Sequence, residues 1–210
     1  LDELTNGLKE ALDAEGRNLA VYPHPQGYPP LREYVADKLA RDRDIHVDPD
    51  EVILTDGSSQ PIHVFTELLV DPGDVVLTED FVYAGTLATL RRFRADVRGV
   101  ACDDEGLVPE ALEEAIRTAT AEGKRPKFIY TIPTFQNPQG WTMTLERRKA
   151  LVRISQDQGV PVLEDDCYVD LRFEGEDVTS IHSLDDSGNT MYVASFSKII
   201  APGMRMGYMV

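Results

Sequence analysis

The chain has 210 residues, with 37 aspartates and glutamates against 21 lysines and arginines, a formal charge of −16. Hydrophobic residues make up 42%, enough apolar side chain for a packed core, which excludes disorder as the dominant state. The acidity argues against direct nucleic-acid contact and against a polybasic membrane contact, since both need a basic face; by itself it reads as a solvated surface.

The first residues, LDELTNGLKEALDAEG, are charged and patterned as an amphipathic helix that Leu1 opens from within, unlike a signal peptide. Residues 18–30, NLAVYPHPQGYPP, form the most loop-like stretch. Beyond it, β-rich runs are predicted at 51–55 (EVILT), 74–78 (DVVLT), 97–101, 127–132 (KFIYTI), 160–164 (VPVLE) and 190–195 (TMYVAS). Several are continuously apolar, as strands buried on both faces require. Helices are predicted between them at 31–43, 62–69, 85–94, 109–121 and 145–158, with Pro109 a first-turn proline. The closing RMGYMV reads as an unfinished strand, and the two ends together predict a portion of a longer chain.

No apolar run approaches the ~18–20 residues of a membrane span. Cys102 and Cys167 lack CxxC spacing, which excludes a disulfide scaffold or cysteine-rich zinc site and suits a reducing cytoplasm. His24, His46, His63 and His182 are scattered without an HExxH pair, so no metal site is predicted. Alternating strands and helices predict an α/β fold: three α/β/α layers around a mainly parallel sheet. Residues 1–20 are expected to form a helical arm and 21–210 the main domain.

Ligands of such sheets sit outside the carboxyl ends of strands, and neither GxGxxG nor GxxxxGK[ST] is present to specify a nucleotide. The sharpest segment is Ser195-Phe196-Ser197-Lys198, directly after TMYVA. A lysine at a buried strand end becomes a usable nucleophile or Schiff-base former; a surface lysine on a following loop is the plainer reading of Lys198 alone. Two hydroxyls before it and Arg205 after it would hold a phosphate dianion. A second anion cup is expected at Asp56-Gly57-Ser58-Ser59-Gln60, between a strand and a helix start, where an ordinary turn reads equally well. Glu164-Asp165-Asp166, ending an apolar strand, need a cation or solvent, and Tyr168 follows on the same side. The loop PTFQNPQG after KFIYTI either merely turns or presents the Asn137 amide to a ligand oxygen.

The ordered set GSSQ, Tyr83, QNPQG, DDCY and SFSK with Arg205 resembles the fold-type-I pyridoxal-phosphate aminotransferases, class I/II, nearest the 2-aminoadipate and kynurenine branch. The resemblance runs from about Val21 to the last residue. It implies that Lys198 carries pyridoxal 5'-phosphate as a Schiff base and shuttles the substrate proton. Asp165 would face the pyridine nitrogen, Tyr168 and Asn137 the phenolic oxygen, and Tyr83 would stack on the ring. Ser58, Ser59, Ser195, Ser197 and Arg205 would form the phosphate cup, and Tyr22 would reach the neighbouring subunit's site in a homodimer. Residues 21–210 would then be most of the cofactor-binding large domain, incomplete at its C-terminal end, with the small C-terminal domain missing and with it the arginine that grips the substrate carboxylate. The expected reaction is ping-pong amino transfer between an amino acid and a 2-oxo acid. The alternatives are an aminotransferase-like sensor domain of a transcription regulator and a lyase or decarboxylase on the same fold. Gln60, Cys167 and Gln139 depart from the usual residues of this family; Cys167 reads as a packing residue.

Overall fold

Runs of valine, isoleucine and leucine become strands here because helices cover the sheet on both faces. The computed structural model describes residues 2–210. The N-terminal helix α1 (Asp2–Glu15) buries none of its residues; Leu1, expected within it, lies outside the described residues. After a short 3-10 turn come α2 (Pro29–Arg43), started by its prolines, and β1 (Ile53–Asp56), α3 (Ser59–Leu69) and β2 (Val75–Glu79). Next are α4 (Ala84–Arg92), β3 (Asp96–Val100), a small hairpin of β4 (Cys102–Asp103) and β5 (Gly106–Leu107), and α5 (Pro109–Ala121). The chain continues through β6 (Ile129–Thr131), α6 (Leu145–Gln158), β7 (Val162–Asp165), α7 (Ile181–Leu184), β8 (Thr190–Ser195) and β9 (Met206–Met209). Among the described residues no helix is long and apolar enough to cross a membrane.

The main sheet has the order β1-β9-β8-β7-β6-β2-β3. Pairs from β3 to β8 are parallel, whereas β9 runs antiparallel to both β8 and β1. The carboxyl ends of β1, β2, β6, β7 and β8 therefore meet at one edge, together with the start of β9. Alternation of side chains sorts the core into layers. Val75, Leu77, Ile129 and Val162 pack with α5, α6 and α7 on one face, and Tyr192 and Ala194 pack with α2. Val76, Tyr130, Leu163 and Val193 pack with α3 and α4 on the other.

Several boundaries move. The run EVILT is not a strand from its first residue: an Asp48 capping box draws Glu51 into a 3-10 turn, so β1 begins at Ile53. α3 starts three residues earlier than expected, at Ser59, which brings its first turn to the end of β1.

Candidate active site

The sheet edge opens into a cavity on the α3/α4 side, lined by Ser58, Ser59, Tyr83, Asp165, Tyr168 and Lys198, with Ser195, Ser197 and Arg205 also on its walls. Nine of the predicted site residues thus converge. Asn137 does not line the cavity; its Nδ2 reaches the rim by donating to the Tyr168 hydroxyl at 2.8 Å. Tyr22 lies elsewhere, beside α1, and is 98% exposed.

The expectation of a buried strand-end lysine is corrected: β8 ends at Ser195, and Lys198 follows in an exposed turn. Its amine sits 5.6 Å from the centre of the Tyr168 ring, a cation–π distance. Solvent is not what meets Glu164-Asp165-Asp166, because all three are buried. Period-two alternation sends the first two to opposite faces. Glu164 accepts from the Ile181 and His182 amides at the start of α7, at 2.9 and 2.8 Å, and faces the buried Arg148 at 3.9 Å. Asp166 accepts from the Tyr192 hydroxyl at 3.2 Å.

Asp165 turns into the cavity. Its Oδ2 accepts from the Tyr130 hydroxyl at 2.7 Å, whereas Oδ1, fully buried, has no hydrogen-bond partner. Burial pushes this carboxyl up to about 6, against the Tyr130 donation. A buried, half-satisfied carboxylate is costly unless a cation or donor meets it. Burial likewise raises the Tyr168 phenol, with the Asn137 amide opposing the shift, and raises the Cys167 thiol, which fits the packing role read from the sequence.

The opposite wall is built for an anion. Ser58 and Ser59, at the start of α3, line it, and Ser58 makes no side-chain capping bond, which leaves the first-turn amides without a side-chain cap. Arg205 crosses this wall: its guanidinium meets Asp56 Oδ1 at 3.2 Å and the Asp56 carbonyl at 3.1 Å. Gly57 is required beneath it, because φ is +66° and a Cβ would lie 2.6 Å from Arg205 Nη2. Gly207 is required beside it, since its Cβ would lie 2.6 Å from the Gly57 carbonyl carbon. Among the described residues no group of histidine, cysteine, aspartate or glutamate is placed to hold a metal ion.

Three residues of this region carry no role in the sequence reading, Tyr130, Glu79 and Arg148, and Gln136 enters it only as the first letter of QNPQG. The one signal available was polarity inside or just after apolar strands, in KFIYTI and DVVLTE.

The family model described as aminotransferase class I and II matches residues 1–210. Aromatic-amino-acid aminotransferase 1 of Thermococcus litoralis is 34% identical over 95% of this chain and 48% of that protein. The HTH-type transcriptional regulator YisV of Bacillus subtilis, described as uncharacterized, is 33% identical over 90% of this chain and 38% of that protein. A Pyrococcus horikoshii kynurenine aminotransferase solved in complex with PMP superposes with a TM-score of 0.90 at 34% identity, covering 96% of this chain and 50% of that one. The chain thus spans about half the length of the curated aminotransferase relative it matches.

Proposed function

The chain belongs to the class I and II aminotransferases, and from that membership we propose that it is the cofactor-binding part of a pyridoxal-phosphate-dependent aminotransferase. Its substrates would be an amino acid and a 2-oxo acid, exchanged by a ping-pong route. The observation that carries this reading is the unpartnered, buried Oδ1 of Asp165 in a cavity whose other wall holds Lys198, Arg205 and the start of α3. A protonated ring nitrogen would satisfy that oxygen, and a phosphate would suit the cationic wall.

Each residue then has a task. Asp165, held by Tyr130, would face a pyridine nitrogen and favour its protonated form. Tyr168 and Asn137, already paired with each other, bind a phenolic oxygen. Tyr83, at the start of α4, supplies an aromatic face. Ser58, Ser59, Ser195, Ser197 and Arg205 hold the phosphate. When bound, the cofactor supplies an electron sink for the bond broken at the substrate α-carbon. Lys198 would hold an aldehyde cofactor through its amine and would be the group that moves the proton at that carbon.

Residues 1–20 are read as an arm and 21–210 as the large domain, a division supported by the absence of buried residues in α1. Exposed Leu8 and Leu12 on this arm, with Tyr22 and Tyr28 shortly after it, support a homodimer in which Tyr22 enters the partner's site. The free thiols fit a cytoplasmic setting.

Titration of the full-length protein with pyridoxal phosphate tests the assignment. A near-visible absorbance band is expected in the wild type and not in Lys198→Ala, and amino donors should convert stoichiometrically to 2-oxo acids. Absence of the band in the full-length wild type would sink the proposal. The similarity to a regulator supports one second reading, a sensor domain; it predicts the band without turnover of any amino donor.

A further inference from the structure

Glu79 ends β2 and Gln136 lies in the loop after β6; both are buried, and neither has a task in the reading above. Glu79 Oε1 accepts from Thr131 Oγ1 at 2.5 Å and from the Ile132 amide at 2.9 Å, which fastens it to the neighbouring strand end. Its Oε2 accepts from Gln136 Nε2 at 2.8 Å. The same Nε2 donates to the Phe81 carbonyl at 2.6 Å, two residues before Tyr83. Gln136 Oε1 accepts from the Gln139 amide at 2.7 Å. The Gln136 main chain closes the loop by bonding to Trp141 and Gly140 at 2.8 and 2.6 Å. Asn137 is the next residue.

Resting on the aminotransferase reading, we infer that Glu79 and Gln136 are positioning residues that tie the segment carrying Tyr83 to the loop carrying Asn137. They set the distance between the aromatic wall of the cavity and the Asn137–Tyr168 pair. The donor set explains the residue types. Position 79 faces three donors and no acceptor, so a carboxylate satisfies it and a glutamine would turn an amide nitrogen toward a donor. Position 136 must donate to Glu79 and Phe81 while accepting from Gln139, which of the two acids and two amides only an amide of this length does. Burial pushes the Glu79 carboxyl up to about 7, a cost that packing alone gives no reason to keep.

The test uses the full chain, cofactor titration and amide hydrogen exchange. Glu79→Gln should weaken pyridoxal phosphate binding about tenfold, the loss expected for a charge-assisted bond. In cofactor-free protein it should speed exchange both at 81–83 and at 136–140. In an Asn137→Ala background the tenfold effect should shrink to about twofold, because the two residues act through one contact. Thr131→Val removes a Glu79 bond without touching either loop, and should leave affinity within about twofold. If Glu79→Gln does not fold, Gln136→Met is read by the same criteria. Unchanged affinity, an undiminished effect in the double variant, or an equal loss in Thr131→Val would overturn the positioning role alone. A wild type that takes up no cofactor would overturn the aminotransferase reading, and the positioning role with it.

Discussion

Tyr130 and Asp165 come from adjacent parallel strands, and their side chains meet because both point to the α3/α4 face of the sheet. The phenol donates to Oδ2, so it favours the ionised carboxylate and opposes the burial that raises it. Tyr130→Phe should cost about 2 kcal/mol of stability, read by urea denaturation of the cofactor-free protein. It should also push Asp165 above its present value of about 6. Cofactor affinity should then fall most below neutrality and recover toward pH 8, seen by titration across pH. Lys198, Asp165 and Asn137 were legible in the sequence because each is a polar residue in a short, turn-marked segment after an apolar run. Tyr130 was not, since a tyrosine inside an apolar strand reads as core. Glu79 was not either, because one carboxylate after VVLT looks like a strand reaching water. Only the neighbouring strand, distant in sequence, shows what each one faces.

At the level of elements, α6 is anchored by a charged side chain. Arg148 is fully buried and donates to the carbonyls of Met143, Pro133 and Thr179, at 3.1, 2.9 and 3.2 Å, and to Thr134 Oγ1 at 3.0 Å. It thereby fastens α6 to the loop that leads to Asn137 and faces Glu164, which holds α7. Arg148→Met should cost about 3–5 kcal/mol, since it leaves a buried carboxylate without its cation; the urea midpoint measures this. Gly207→Ala should drive β9 away from Gly57, where only backbone would have to give. We expect a loss of about 1–3 kcal/mol and weakened cofactor uptake, checked by denaturation and titration. Most element types followed from periodicity and prolines, and α5, α6 and β8 matched to the residue, whereas the other predicted elements shifted by one to three residues at one or both ends. The direction of β9 did not follow, because MGYM carries no sign of whether its neighbours run with it or against it. Nor did Arg148 stand out in LERRKALVRISQDQ, where Arg147 and Arg153 read the same way.

For the whole molecule, the buried carboxyls govern how stability responds to pH. Glu79 is pushed up to about 7, Asp165 to about 6, and Glu164 upward as well, in each case by burial. In the unfolded chain such groups release protons near pH ~4. Between about pH 4.5 and 7 the unfolded state therefore binds fewer protons, and stability falls as pH rises. Asp166 is raised by burial too, and His182, which burial holds below its ordinary value, acts in the opposite sense, one group against four. Asp185, held at about 2 mainly by hydrogen bonds that outweigh its burial, acts only at lower pH. The urea midpoint of cofactor-free protein should decline from pH 5 to 7.5, and a rise over that range would refute the assignment. The layered fold was legible from alternation alone; the closure of the sheet was not. In that closure β1 has β9 as its sheet partner, Ile53 against Met209 and Asp56 against Met206. Arg205 and Asp56 thus meet across a sequence separation of 149 residues, joined by one antiparallel pairing, a long-range and entropically costly closure. A substitution that loosens β9, such as Gly207→Ala, is therefore expected to disturb the Asp56–Gln60 turn while leaving the distant Tyr130–Asp165 pair in place.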